Sequence, residues 1–155
     1  MKAEQPILFL DFDGVLHPMR EGVALFEYVP LLVDALAPHP DVHIVLSTSW
    51  VPVLGFDEAK ARLRVELQPR IVGATYDPQY ELAMPPGWWS SLTRYAQITH
   101  YVKLHSLTRW VAIDDDTRGW PAEHRYSLVR TSPLLGLAHP DAVPELADKL
   151  LRLYD

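Results

Sequence analysis

The chain has 155 residues, with 14 basic and 20 acidic side chains, no cysteine and a formal charge of −6. This length is typical of one domain with a core of its own, and we expect residues 1–155 to form a single domain. The absence of cysteine excludes a disulfide scaffold, a thiol nucleophile and a thiolate zinc site. The acidic balance argues against broad, non-specific binding of nucleic acid.

The apolar runs of the chain are all short. None approaches the roughly 18 residues that a membrane-spanning helix needs. The first run, Ile7–Leu10, stops at Asp11, which makes it too short for a secretory signal. We therefore expect a soluble, cytoplasmic protein that makes no use of a membrane.

Short apolar runs alternate with amphipathic stretches, as in parallel strands joined by helices. In chain order we predict a strand at Ile7–Leu10, a helix at Val29–Leu36, a strand at His43–Leu46, a helix from Asp57 to about Leu67, and a strand at Ile71–Ala74. After an ordered loop at Tyr76–Ser91 come a helix from Leu92 to about His105, strands at Trp110–Ile113 and Ser127–Val129, and a helix from Asp141 to Leu153. This order predicts an α/β fold with a central parallel sheet of about five strands.

The bounds of the helices rest on proline, capping residues and apolar spacing. Pro30 is tolerated in the first turn of the first helix, and Pro38 ends it. Asp57 can cap the second helix, in which Ala59, Leu63 and Leu67 recur at helical spacing.

Two of the predicted strands end in acidic side chains. Asp11 and Asp13 follow the first strand, and Asp114–Asp116 follow the fourth. In an open parallel sheet, ligands bind beyond the carboxyl ends of the strands, where the strand order reverses. Two acid clusters at that edge would repel each other unless a cation lay between them. Oxygen ligands of this kind favour Mg²⁺ over Ca²⁺ when a phosphate group completes the coordination.

The Asp-x-Asp spacing has a structural reason. Residues two apart on extended backbone point to the same side, so Asp11 and Asp13 can face one substrate while Phe12 enters the core. Gly14 then permits the sharp turn that leaves the strand. The simpler alternatives are that Asp11 and Asp13 are turn residues and that Asp114–Asp116 only cap a helix.

Together these motifs resemble the haloacid dehalogenase-like (HAD) superfamily of hydrolases. The stretch Asp11-Phe-Asp13-Gly-Val-Leu-His resembles the first motif of that superfamily, Leu46-Ser47-Thr48-Ser49-Trp50 the second, and Asp114-Asp115 the fourth. The spacing of the motifs, with a late Gly136-Leu137, is similar to that of the small HAD domains of RNA-repair proteins. The resemblance implies a Rossmann-like three-layer sandwich. Only about fifteen residues separate Gly14 from the first helix, which predicts a minimal cap.

The resemblance also implies roles for the acidic residues. Asp11 would be the nucleophile that carries an aspartyl-phosphate. Asp13 would be the general acid and then the general base, and its backbone carbonyl would help to hold Mg²⁺. Asp114 would be a metal ligand, with Asp115 a second one, directly or through water. The second acid, Asp13, favours hydrolysis or transfer of phosphate esters.

The other two motif roles each have two candidates. Ser47 would hydrogen-bond the phosphoryl oxygens, or Thr48 would do so if the strand runs one residue further. The basic residue of the third motif is Lys103 or Arg94. The helix that feeds the fourth strand begins near the carboxyl edge of the sheet, and Lys103 lies roughly 13 Å further along it than Arg94. We therefore predict Arg94, whose guanidinium offers a fixed fork to phosphate oxygens.

The predicted function is that of a Mg²⁺-dependent phosphatase acting through Asp11 on a phosphorylated small molecule or nucleic-acid end. A phosphotransferase and a non-catalytic module that binds Mg²⁺ or phosphate are the alternatives. His17, the last residue of the first motif, either lines the entrance to the site or packs on Pro18. Trp50 and the pair Trp88–Trp89 are interpreted as core or loop-anchoring residues, with a base-contacting surface as the alternative for the pair. We interpret Arg118, Arg125 and Arg130 as scattered surface charges.

Overall fold

The computed structural model describes residues 4–155, and its centre is a five-stranded parallel sheet with the order β3-β2-β1-β4-β5. The strands are β1 (Ile7–Leu10), β2 (His43–Leu46), β3 (Ile71–Ala74), β4 (Trp110–Asp114) and β5 (Leu128–Arg130). The predicted α/β fold with a parallel sheet of about five strands is confirmed.

Helices cover both faces of the sheet. They are α1 (Val29–Leu36), α2 (Trp50–Leu54), α3 (Phe56–Ala61), α4 (Tyr80–Ala83), α5 (Trp88–Ser91), α6 (Arg94–Leu104) and α7 (Ala142–Arg152). Alternate residues of β1 serve the two faces. Leu8 and Leu10 belong to the larger core with α1 and α7, whereas Phe9 packs in a smaller core with Ile98 of α6. The protein is therefore a three-layer sandwich.

The strand pairing brings the chain segments that follow β1, β2 and β4 together. Leu10 at the end of β1 is in register with Leu46 of β2 and with Ile113 of β4. The pairing continues one residue further, because the Ser47 N–H donates to the Leu10 carbonyl at 2.8 Å and the Asp11 N–H donates to the Ile113 carbonyl at 3.3 Å. Residues that were predicted to share one sheet edge therefore lie side by side.

The second predicted helix is wrong in its bounds. In place of one helix from Asp57 to Leu67, α2 and α3 meet at Gly55, and Asp57 lies inside the first turn of α3 instead of capping it. Turns follow α3, yet Ala59, Leu63 and Leu67 are all buried as their spacing predicted. The loop at Tyr76–Ser91 is likewise ordered, but it contains the short helices α4 and α5.

The segment between β1 and α1 forms a short flap and not a separate cap domain, in agreement with the predicted minimal cap. Gly14 begins it with a φ of +74°, and the Met19 N–H donates to the Pro133 carbonyl at 2.7 Å, which ties the flap to the segment after β5. In the part of the chain that is described, no helix combines the length and the apolar character that crossing a bilayer requires.

Candidate active site

Three carboxylates converge at the carboxyl edge of the central strands. Asp11 follows β1, Asp114 is the last residue of β4, and Asp115 comes next. Each of the three offers an oxygen atom, and these atoms lie within 4.8 Å of one another. Asp114 is fully buried, and only 4% of Asp11 is exposed.

Arg94 is the cation of this cluster. It is the first residue of α6, whose amino end is capped by the Thr93 hydroxyl as it accepts the Ala96 N–H at 3.1 Å. The guanidinium Nη1 lies 3.6 Å from Asp11 Oδ1, and Nε lies 3.5 Å from Asp114 Oδ2. Nη1 also donates a hydrogen bond to the Ser47 carbonyl. This one side chain therefore connects the segments that follow β1, β2 and β4.

Lys103, the other candidate for the basic residue, lies elsewhere. It is exposed in the last turn of α6, on a surface that it shares with Tyr95 and His124. The difference follows from the direction of the helix, because α6 begins at the carboxyl edge of the sheet and runs away from it.

Burial makes the acidic pair electrostatically costly. It raises the pKa of Asp11 well above its ordinary value, and the neighbouring charge of Asp114 adds to this while Arg94 opposes it. Burial also raises the pKa of Asp114 to about 6. Burial alone would lower the pKa of Arg94, but the carboxylates around it raise that pKa. One arginine therefore does not balance the negative charge of the cluster.

The cluster has the properties expected of a divalent-cation site. Asp114 Oδ1 accepts the Asp116 N–H at 2.9 Å, but Asp114 Oδ2 is buried without a hydrogen-bond partner. An anionic oxygen in that position needs a proton or a further cation. The donor set consists of carboxylate oxygens alone, which suits Mg²⁺.

Gly14 creates the space that Asp115 occupies. A Cβ atom at residue 14 would lie 2.4 Å from Asp115 Oδ2, so no other residue fits there without displacing the carboxylate. Thr131, which follows β5, stabilises the same turn, since its hydroxyl donates to the Gly14 carbonyl at 2.7 Å. Glycine at this position thus allows the turn after β1 and also leaves room for the Asp115 side chain from the loop after β4.

The two hydroxyl candidates after β2 have different surroundings. Ser47 Oγ is buried and has no hydrogen-bond partner. Thr48 Oγ1 accepts the Trp50 N–H at 3.3 Å and therefore takes part in the local turn that starts α2. Of the two, Ser47 has the free hydroxyl, and its backbone carbonyl accepts from Arg94.

Asp13 lies at the mouth of the site, and both of its carboxylate oxygens accept hydrogen bonds. His17 Nε2 is 2.7 Å from Oδ1, and Trp50 Nε1 donates to Oδ2 at 3.0 Å. Sequence reasoning did not find these two contacts. His17 is only 1% exposed and contacts Asp13, so the idea that it lines the entrance is wrong. The available signals were its position four residues after Asp13 and a tryptophan directly after the Ser-Thr-Ser stretch.

An open cleft of about 450 Å³ leads to the cluster. Its lining includes Asp11, Asp13, Ser49, Arg94 and Asp115, together with Met19 of the flap and the segment Asp116–Arg118. Arg118 is the only one of the three scattered arginines at this cleft, and its guanidinium pairs with Asp116 at 2.9 Å. Trp88 and Trp89 pack against Tyr80 and do not line the cleft.

Comparison with known protein families supports the resemblance. Residues 7–142 match the family described as the HAD domain in Swiss Army Knife RNA repair proteins. The search of curated proteins and the search of solved structures gave no significant match. The matched range contains all the acidic residues of the cluster, the hydroxyl segment after β2 and Arg94. Because the match covers most of the chain, the protein belongs to the family of HAD domains found in Swiss Army Knife RNA repair proteins.

Proposed function

We propose that the protein is a Mg²⁺-dependent phosphatase that hydrolyses phosphate monoesters through an aspartyl-phosphate on Asp11. The observation that carries this proposal is the meeting of Asp11, Arg94 and the buried Asp114 at one sheet edge, where Asp11 and Arg94 line an open cleft. Membership of the HAD family supports a hydrolase of the phosphatase type. The alternative of a non-catalytic binding module rested on the absence of a basic residue near Asp11. Arg94 Nη1 lies 3.6 Å from Asp11 Oδ1, which favours an enzyme.

The first step transfers the phosphoryl group to Asp11. A carboxylate oxygen of Asp11 attacks phosphorus, and the bond between phosphorus and the ester oxygen breaks. Asp13 donates a proton to that leaving oxygen, so the product departs as an alcohol. Arg94 stays beside Asp11 and offers N–H donors to the phosphoryl oxygens. The free Ser47 hydroxyl is a further donor for the same group.

The second step releases the phosphate. Asp13, now a carboxylate, takes a proton from a water molecule while the water oxygen attacks phosphorus. The bond between phosphorus and the Asp11 oxygen breaks, inorganic phosphate leaves, and both aspartates return to their starting forms. The cleft is open enough to admit water directly.

Asp11, Asp114 and Asp115 would hold Mg²⁺, together with the backbone carbonyl of Asp13. The bound ion would supply positive charge to the attacking carboxylate and to the phosphoryl oxygens. The observation that supports a place for the ion in this site is that Asp114 Oδ2 is buried without a hydrogen-bond partner.

We propose a nucleic-acid end as the substrate class. The family is described by its occurrence in RNA repair proteins, and the short flap leaves room at the cleft for a polymer end. The net charge of −6 favours the competing candidate, a small phosphate ester. Release of phosphate from oligonucleotides with a 3′- or 5′-phosphate should exceed release from a sugar phosphate at equal concentration. The reverse order would assign a small-molecule substrate.

The catalytic proposal is tested with an aryl phosphate in the presence and absence of Mg²⁺. We expect hydrolysis that depends on Mg²⁺, a covalent phosphoenzyme trapped by acid quench, and the loss of both in Asp11→Asn. Asp148→Asn is a matched control, since Asp148 is an exposed partner of Arg152. Full activity in Asp11→Asn would eliminate the mechanism, and tight phosphate binding without turnover on any ester would assign a binding module instead.

A further inference from the structure

We infer that His17 and Trp50 are positioning residues that hold Asp13 for proton transfer at the cleft. The inference rests on the proposed function, in which Asp13 is the general acid. The carboxylate of Asp13 is more than a third exposed, so packing alone does not fix its orientation. Two side-chain donors, one to each oxygen, define the plane of the carboxylate instead.

The hydrogen-bond pattern of His17 specifies which ring nitrogen carries the hydrogen. Nδ1 accepts the backbone N–H of Phe26 at 3.2 Å, so it carries no hydrogen itself. The ring hydrogen is therefore on Nε2, which donates to Asp13 Oδ1 at 2.7 Å. The buried imidazole thus links the end of the flap, just before α1, to the carboxylate.

Aromatic packing holds both donors in place. The Phe26 ring lies 5.2 Å from the His17 ring and 5.2 Å from the Trp50 ring, and the Phe12 ring lies 5.6 Å from that of Trp50. Phe26 adopts a left-handed backbone conformation with a φ of +59°, which is uncommon for a residue other than glycine. The flap therefore returns to the core beside the donors, and neither donor is free to swing away from Asp13.

The consequence concerns the leaving group. A general acid contributes about 10²–10⁴-fold to a rate, and it does so only when its proton points at the leaving oxygen. A poor leaving group needs that proton, whereas a good leaving group departs as a stable anion without it. Losing the orientation of Asp13 should therefore slow the hydrolysis of phenyl phosphate far more than that of 2,4-dinitrophenyl phosphate.

The experiment compares kcat/KM for these two esters, because this ratio reports the steps up to formation of the phosphoenzyme. Trp50→Phe removes one donor and keeps the aromatic ring. His17→Asn keeps an acceptor for the Phe26 N–H but loses the donor to Asp13, whereas His17→Gln keeps a donor at the position of Nε2. Trp120→Phe is the matched control, since it removes a comparable indole hydrogen bond, to the His124 carbonyl.

We expect Trp50→Phe and His17→Asn to lower kcat/KM for phenyl phosphate at least tenfold more than for 2,4-dinitrophenyl phosphate. His17→Gln and Trp120→Phe should leave the ratio between the esters as in the wild type. Equal losses on both esters in the folded variants, checked by circular dichroism, would overturn the inference and leave the phosphatase proposal intact. A wild type that hydrolyses neither these esters nor the phosphorylated oligonucleotides would refute the proposed function and, with it, the inference.

Discussion

Replacing Asp114 by asparagine should stabilise the metal-free protein at neutral and alkaline pH. Burial raises the pKa of Asp114 from an ordinary 3.8 to about 6, so the native state binds this proton more tightly than the unfolded chain does. The contribution of Asp114 to the free energy of unfolding is therefore largest below the pKa that it has in the unfolded chain. This contribution is lost as the pH rises through about 6. Above that pH the buried charge costs on the order of 3 kcal/mol.

Asparagine removes this charge and retains an oxygen for the Asp116 N–H. It also removes a negative charge next to Asp11, which further increases the stability of the folded protein. The lost attraction to Arg94 subtracts from the gain. We expect a rise in Tm of up to roughly 5–10 °C in chelator at pH 8, and little difference at pH 4.

Thermal unfolding followed by circular dichroism, with and without Mg²⁺, measures this effect. Saturating Mg²⁺ should raise the Tm of the wild type, since a ligand at 100 times its Kd contributes about 2.7 kcal/mol, and it should do little for Asp114→Asn. Asp116→Asn is the control. The hydrogen bond from Arg118 lowers the pKa of Asp116, so loss of this carboxylate charge should not stabilise the protein. An Asp114→Asn variant less stable than the wild type in chelator at pH 8 would refute the electrostatic reasoning.

Three further substitutions, one of them with a control variant at Lys103, test separate parts of the structure. Arg94→Lys should lower kcat/KM by about 10–100-fold in a phosphatase assay, because a single ammonium cannot replace the planar fork, whereas Lys103→Ala should leave it unchanged. Gly14→Ala should weaken Mg²⁺ binding in a calorimetric titration, since the new Cβ would displace Asp115. Arg70→Ala should lower the free energy of unfolding in urea by roughly 2 kcal/mol, because three carbonyl groups at and after the end of α1 lose the hydrogen bonds from the guanidinium. An unchanged value in Arg94→Lys, Gly14→Ala or Arg70→Ala, or a loss of activity in Lys103→Ala, would contradict the corresponding interpretation.

The central strands β1 and β2 could be predicted well because they are buried on both faces, whereas the edge strand β3 is only partly buried. β1, β2 and β3 have the predicted bounds, and their residues form short apolar runs stopped by polar or turn residues. A central parallel strand needs only such a run, since helices cover it from both sides. The order of strands and helices then gave the parallel sheet and the sheet edge at which the acidic residues lie.

The second helix could not be predicted correctly from apolar spacing. Spacing tells which residues face the core, and turns after α3 satisfy the same requirement for Leu63 and Leu67. The helix α2 was missed because Pro52 lies within it, although proline is tolerated in the first turn, where its N–H has no helical partner. Gly55, with a φ of +90°, then separates α2 from α3.

The candidate site was predictable as far as strand ends and helix direction determine it. Asp11 and Asp114 follow from the sheet edge, and the position of Arg94 follows from the direction of α6; their chemical roles remain predictions. The contacts of Asp13 with His17 and Trp50 depend on how the flap folds back on the start of α2. That return is a tertiary contact between distant segments, and no local pattern encodes it.

The pairing of β1 with β4 has a consequence for how the protein acquires its chemistry. Asp11 and Asp114 are separated by more than half of the chain, and only this pairing brings them together. Such a long loop closes late and at an entropic cost. A nascent chain that has emerged only through α6 already contains Asp11 and Arg94, yet it lacks Asp114 and Asp115, two of the residues proposed to hold Mg²⁺. The proposed activity should therefore appear only after β4 has emerged and paired with β1, and fragments that end before β4 should be inert.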